Sequence, residues 1–144
     1  MPRFYDQSHT ASASLLRRLG AILYDTFIVI ALCFAVTAIW LYFAETEYAT
    51  GPAFQSLLFI TIFGFFGLFW TRTGQTIGMM AWRIRIQSNE GAAINWMQAL
   101  IRFMCAMFSA AAFGVGYFWM LFNDEKLTLQ DKISNTVVVY LPKK

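Results

Sequence analysis

The stretch Arg17-Arg18-Leu-Gly-Ala-Ile-Leu-Tyr-Asp25 begins the longest apolar segment of this chain and places a carboxylate inside it. Hydrocarbon cannot solvate a charge, so ionisable residues are rare in apolar segments of this length and need a partner. The stretch therefore predicts a long apolar helix with a buried polar contact for Asp25 near its start.

The composition is that of a membrane protein. Hydrophobic residues make up 58% of the 144 residues and charged residues only 13%, whereas about 25% of an ordinary soluble domain is charged. A chain of this length has room for one domain. The lipid bilayer is the expected environment and partner. Basic residues flank the apolar segments and form no stripe, which argues against nucleic-acid binding.

Two apolar segments are long enough to be full membrane spans. Residues 19–43 exceed the ~20 residues that cross a bilayer core of ~30 Å, and are too long for the ~7–15-residue apolar region of a signal peptide. Residues 54–70 form a shorter second segment, and Pro52 suits the first turn of its helix. Gly64 and Gly67 would admit a neighbouring helix closely.

Two short segments are typical of strands, and the first of them alternates with a period of two. Residues 82–87 place Trp82, Ile84 and Ile86 on one face and polar side chains on the other. The turn residues 88–91 follow, and residues 136–140 form a second strand that ends before Pro142. We expect the two strands to pair as a small β element.

Asn95 and Gln98 have the spacing of a capping box at the start of a third apolar region, residues 96–122. Arg102 and Gly114-Val-Gly116 interrupt this region. It could be a single span, or two short helices that fold back as a re-entrant hairpin. At ~1.5 Å per residue, two arms of ~12 residues reach only about 18 Å each, too short for two full spans.

The distribution of Lys and Arg predicts the orientation, because cytoplasmic segments carry an excess of basic residues. The loop 44–51 has no Lys or Arg and contains Glu45 and Glu47. We expect this loop outside, and the N-terminus, the segment 72–95 and the tail in the cytoplasm, with the protein in the inner (plasma) membrane. This favours the hairpin for residues 96–122. The basic residues of the three cytoplasmic segments are Arg3, Arg17, Arg18, Arg72, Arg83, Arg85, Lys126, Lys132, Lys143 and Lys144.

Asp25 and Arg102 are candidates for a buried ion pair. Each lies six residues inside its own apolar segment, so both are expected at similar depth if the segments enter from the same side. Arg18 precedes Asp25 by one heptad, about 10 Å along a helix and too far for a direct bond. We expect Arg18 at the head-group level. The Asp25–Arg102 pair would be either a structural ion pair or part of a proton or cation relay.

The sequence contains no catalytic or metal-binding constellation. The single histidine, His9, lies in a polar N-terminal arm, and Cys33 and Cys105 lie in apolar segments without the spacing of a metal site. We therefore expect no enzymatic activity, no metal and no cofactor.

Four short motifs occur in order along the chain. They are Arg18-Leu-Gly-Ala-Ile-Leu-Tyr-Asp25; Gly74-Gln75-Thr76-Ile77-Gly78 followed by Arg83-Ile-Arg85-Ile; Arg102; and the stretch from Leu129 to Val138 that contains Asp131. Together they resemble the RDD family of small bacterial and archaeal membrane proteins, which is named for an arginine and two aspartates. The resemblance extends from Leu16 to Tyr140.

The resemblance implies little about function. Relatives usually have a histidine before the last aspartate, where this chain has Gln130, so proton chemistry at such a histidine is not implied here. A transport role, including sodium/proton exchange, has been proposed for some family members. A chain of 144 residues would need to form a homo-oligomer for such a role.

We therefore predict an all-α membrane protein: a small transmembrane helix bundle with two full spans, a third apolar region and a short cytoplasmic two-stranded β element. Residues 1–14 would form a polar arm, 15–140 an RDD-like membrane domain and 141–144 a basic tail. The protein would be a small ion- or solute-transport protein, acting as an oligomer through a polar centre of Arg18, Asp25, Arg102 and Asp131. The alternative is a non-catalytic scaffold or accessory subunit, bound to itself or to a larger membrane protein, in which these charges are structural.

Overall fold

The computed structural model describes residues 3–45, 48–122 and 127–143. Helices and strands alternate irregularly along the chain. The helices are α1 (Leu15–Ala44), α2 (Pro52–Arg72), α3 (Ile77–Trp82), α4 (Trp96–Ala111), α5 (Val115–Phe118) and α6 (Leu129–Ser134), with one 3₁₀ turn (Trp119–Leu121). The strands are β1 (Ala11–Ser12), β2 (Ile84–Ser88) and β3 (Thr136–Tyr140).

The two long helices α1 and α2 are both apolar and long enough to cross a membrane. Helix α1 begins earlier than the apolar pattern, because the side chain of Ser14 caps it by accepting from the Arg17 amide. Pro52 occupies the first turn of α2, as predicted. None of the most apolar 18-residue window of α1 is buried by the described residues. An uncovered apolar surface of this size needs lipid or a partner protein around it.

A three-stranded antiparallel sheet lies at one end of the two long helices, with strand order β1-β3-β2. The predicted pairing of the strands after α2 and at the end of the chain is confirmed, with Ile84 opposite Tyr140 and Ser88 opposite Thr136. The prediction of only two strands is wrong. The N-terminal arm contributes β1, whose two residues are too few to produce an alternating pattern.

The third apolar region folds back. Helix α4 ends at Ala111, and Phe113 and Gly114 then take positive φ angles of 59° and 79°, which reverse the chain direction before α5. After α6, strand β3 pairs with both β1 and β2, so the chain returns to the end of the bundle where α1 begins. This geometry agrees with the hairpin and not with a single span. Three residues used to predict orientation, Glu47, Lys126 and Lys144, lie outside the described residues.

The buried core lies where the helices meet the sheet. Ile84, Ile86 and Val138 supply the sheet side of the core, and Ala21, Met79, Ala99 and Phe103 supply the helix side. Aromatic rings of α2 and α4 continue this core between the two helices, with Phe63 and Phe66 both in contact with Phe103. The sheet therefore closes one end of the helix bundle.

Glycines allow close approach at some of the predicted places. A Cβ on Gly67 would lie 2.5 Å from the ring of Trp96 on α4, as expected for a helix contact, but a Cβ on Gly64 would meet no described atom within 4 Å. The tightest contact with backbone is elsewhere. A Cβ on Gly78 of α3 would lie 2.3 Å from the carbonyl oxygen of Ala21 on α1.

We predict that Gly78→Ala destabilises the protein and that Gly64→Ala does not. The new methyl group at position 78 would force α3 away from the α1 backbone, and overpacking of this kind costs about 1–3 kcal/mol. At position 64 there is space, and alanine is a better helix former than glycine. Thermal unfolding of the two purified variants in detergent measures the difference. Equal midpoints would contradict the α1–α3 contact.

Candidate functional site

Asp131 binds two arginines from two different helices. Its Oδ2 accepts a hydrogen bond from Nη1 of Arg18 on α1 at 2.7 Å, and its Oδ1 accepts from Nη1 of Arg102 on α4. The exposed fractions of Asp131, Arg18 and Arg102 are 1%, 3% and 5%. We call these three residues the triad. The triad links α1, α4 and α6 through one buried carboxylate.

The sequence around Asp131 sets its position locally. Thr128 and Asp131 form a capping box at the start of α6: the Asp131 amide donates to Oγ1 of Thr128 at 3.3 Å, and the Thr128 amide donates to Oδ2 of Asp131 at 3.1 Å. Asn135 ends α6 in the left-handed region, with φ 53°. This short helix therefore holds the carboxylate in one orientation before β3 begins.

Charge strongly favours the ionised form of Asp131. Burial alone would raise the pKa of this carboxyl group, but the guanidinium groups of Arg102 and Arg18 and their hydrogen bonds hold its pKa below the ordinary value. Nη1 of Arg102 also donates to Oγ1 of Thr136 at 3.0 Å. The triad is thus connected to the first residue of β3.

Asp25 accepts its hydrogen bonds from the start of α3. Oγ1 of Thr76 donates to its Oδ2, and the Gly78 amide donates to its Oδ1 at 2.8 Å. Thr76 is also the N-cap of α3 and accepts from the Met79 amide. The carboxylate of Asp25 thus lies against the first turn of a helix, where backbone N–H groups are free to donate.

The remaining residues of the Gly74–Gly78 turn join it to the sheet. Gly74 has φ 74°, and its carbonyl oxygen accepts from the Ile86 amide at 2.7 Å. Nε2 of Gln75 donates to the carbonyl oxygen of Ile84 at 2.8 Å. The four motif residues Gly74, Gln75, Thr76 and Gly78 therefore connect Asp25 on α1 with strand β2.

The predicted ion pair between Asp25 and Arg102 is wrong, whereas the predicted head-group level of Arg18 stays a prediction. Arg102 pairs with Asp131, Asp25 is bound by α3, and Arg18 is buried. The prediction compared depths along straight helices. Depth along two helices gives no information about a third segment, and α6 returns to the bundle and places a carboxylate between the two arginines.

Several polar residues of this region were not assigned a role from the sequence. Oγ of Ser134 donates to the Gln130 carbonyl oxygen at 2.5 Å and lies 2.7 Å from Oγ1 of Thr136. Gln130, in the place of the family histidine, is fully buried, and its Oε1 lies 3.5 Å from Oγ of Ser109. The spacing of Thr128 and Asp131 was a recognisable capping signal. The contacts of Ser109 and Ser134 carried no such signal.

A double-mutant cycle distinguishes the observed pairing from the predicted one. Arg102→Gln and Asp131→Asn each break a buried pair, and each should cost about 3–5 kcal/mol. Their effects on unfolding free energy should be coupled by roughly 0.5–3 kcal/mol, because the two side chains are in contact. Arg102→Gln with Asp25→Asn should be additive, because these residues share no hydrogen-bond partner. Coupling in the second cycle alone would contradict the triad.

The lowered pKa of Asp131 predicts how stability depends on pH. A carboxyl group whose pKa is depressed by folding contributes stability above its unfolded pKa of about 3.9, and this contribution is lost as pH falls through the folded pKa. The unfolding midpoint of the wild type in detergent should therefore fall below about pH 4 more steeply than that of Asp131→Asn. Parallel curves for the two proteins would contradict the charged state of Asp131.

The family of the chain follows from a comparison with known proteins. A family model described as the RDD family matches residues 12–135. No curated protein and no solved structure matches the chain. The matched range includes Arg18, Asp25, Arg102 and Asp131 and covers most of the sequence. Together with two apolar helices that could cross a membrane, it indicates a membrane protein. The resemblance of the ordered motifs is thus confirmed, and this chain belongs to the RDD family.

Proposed function

We propose that this chain is a non-catalytic scaffold or accessory subunit of the inner (plasma) membrane, with two spans and both termini in the cytoplasm. Its basic side chains support this orientation, since Arg17 and Arg85 lie at the sheet end of the bundle. Arg17 stacks on the ring of Tyr140 and Arg85 on the ring of Tyr5, at 4.1 and 4.2 Å. Basic residues at one end of a bundle favour the cytoplasmic side for that end.

The observation that carries this proposal is that the two buried carboxylates of the described residues are already bound by the protein itself. Asp131 is shared by two arginines, and each oxygen of Asp25 accepts from the α3 turn. A relay needs a carboxylate that exchanges its partners, and breaking a buried ion pair is costly. These contacts instead attach α3, α6 and the sheet to the long helices.

The distribution of charge along the long helices also favours a structural role. Residues 27–44 of α1 and 53–71 of α2 contain no Asp, Glu, Lys or Arg. Charged residues mark ion pathways through membrane proteins, and the last charged residue of α1 is Asp25, in the first half of this helix. The uncovered apolar window of α1 gives such a scaffold a surface for its proposed partner, a second copy of this chain or a larger membrane protein.

Transport by an oligomer is the second candidate, and one observation favours it. Asp25, Arg18 and Arg102 line the same cavity, so a solute in that cavity would reach all three charged side chains. Residues 27–44 and 53–71 carry no charged group, so further copies would have to complete a pathway across the membrane.

Ion flux into liposomes tests the scaffold against the transporter. The wild type, Asp25→Asn and the exposed-loop control Glu90→Gln are reconstituted, and sodium and proton fluxes are measured under imposed gradients. We expect no flux above protein-free vesicles for any of the three, and a lower unfolding midpoint for Asp25→Asn alone. Flux in the wild type and control that Asp25→Asn abolishes, with its fold intact, would refute the scaffold and support transport.

A further inference from the structure

A cavity of about 210 Å³ lies between α1 and α4, next to the sheet end of the bundle. Helices α2, α3 and α6 and the sheet also contribute side chains to its lining. Most of the lining is apolar, and it includes Ile22, Trp70, Arg102, Ala106, Met107 and Gln130. This volume exceeds the roughly 150 Å³ of an engineered cavity that holds benzene.

Hydrogen-bond donors that lack acceptors gather in the wall of this cavity. All described hydrogen bonds of Arg102 use Nη1, so its other guanidinium nitrogens donate to no described residue. Trp70 Nε1 and Gln130 Nε2 are buried, and neither has a hydrogen-bond partner in the described part of the chain. A buried donor without an acceptor is costly. These three side chains therefore select a ligand group that accepts hydrogen bonds.

The charge beside these donors is positive. Arg18 and Arg102 share one carboxylate, that of Asp131, so the triad has a net charge of one positive unit. Asp25 also lines the cavity and offsets this charge in the sum over the lining, but it lies about 10 Å along α1 from Arg18, and both of its oxygens accept hydrogen bonds from α3. An anionic acceptor at the triad end is favoured over a neutral one, because charge-assisted hydrogen bonds are the stronger kind.

Exposed side chains of α1 and α4 border the open side of the cavity. Ile22 on α1 and Met107 on α4 both line it, and they are 37% and 47% exposed. Since α1 is apolar and could span a membrane, this opening faces hydrocarbon. A ligand that enters here comes from the bilayer, with its polar group towards the triad and an apolar chain towards the lipid.

We propose that this cavity binds a single-chain carboxylate amphiphile, a fatty-acid anion, taken from the bilayer. The carboxylate accepts hydrogen bonds from Arg102, Trp70 and Gln130, and the first carbons of the chain fill the space between α1 and α4. Binding here goes beyond the scaffold role and does not depend on it, since the triad keeps its own contacts when the cavity is filled.

Equilibrium binding of radiolabelled dodecanoate to the purified full chain in detergent tests this site. The wild type should bind it saturably. Ala106→Phe, which fills the cavity, should abolish binding, whereas Ala111→Phe, on the same helix but outside the lining, should retain it. Trp70→Phe and Gln130→Leu should each weaken binding about tenfold, the loss expected for one hydrogen bond to a charged group. Thermal unfolding of every variant shows which of them fold. If Ala106→Phe does not fold, the binding of dodecanoate by Trp70→Phe tests the site in its place.

Competition identifies the chemistry of the polar end. Unlabelled dodecanoate should displace the label, methyl dodecanoate should do so at least about tenfold less well because it lacks the charge, and dodecylamine should not displace it. Three results would overturn the proposal: absence of saturable binding to the wild type, equal binding by the folded Ala106→Phe and Ala111→Phe variants, or displacement by dodecylamine as effective as that by dodecanoate.

Discussion

One carboxylate, that of Asp131, is shared by two arginines, and the closed end of this protein depends on that contact. The three charges lie on α1, α4 and α6 and are almost fully buried. Removal of the carboxylate would leave two uncompensated guanidinium groups in the core, which is among the most costly changes a folded chain can suffer. Because β3 follows α6 directly and Thr136 accepts from Arg102, the same contact positions the central strand of the sheet.

The carboxylate of Asp25 is also bound by a short helix, but its partners are neutral donors and not arginines. Asp25 is neutralised by no arginine, and accepts instead from the hydroxyl and backbone donors that open α3. In both cases a long apolar helix carries a charge near the sheet end, and a short helix outside the apolar segments supplies its partner. Gly78 makes this possible for Asp25, since a larger residue would collide with the α1 backbone. The charges and the short helices thus form one structural unit.

A cavity remains beside this unit because α1 and α4 do not close over it. The buried nitrogens of Trp70 and Gln130 that lack acceptors belong to side chains in its wall, next to a triad with a net positive charge. Asp25 and Asp131 are both bound within the protein, and the side chains near them can still offer donors to a ligand. Structural charges and a binding site are compatible here, because the triad uses only part of the guanidinium of Arg102.

The sequence alone determined the features that depend on neighbours along the chain. The long apolar segments became α1 and α2, Asn95 capped α4 as its spacing predicted, alternation indicated β2, and a short run rich in valine indicated β3. These signals are local, since caps and periodicity involve residues within one or two turns. Only the tertiary structure decided which charge meets which. Arg18 and Asp131 are 113 positions apart, and their contact exists because the chain reverses after α4 and returns to the bundle. No pattern within either segment encodes that return.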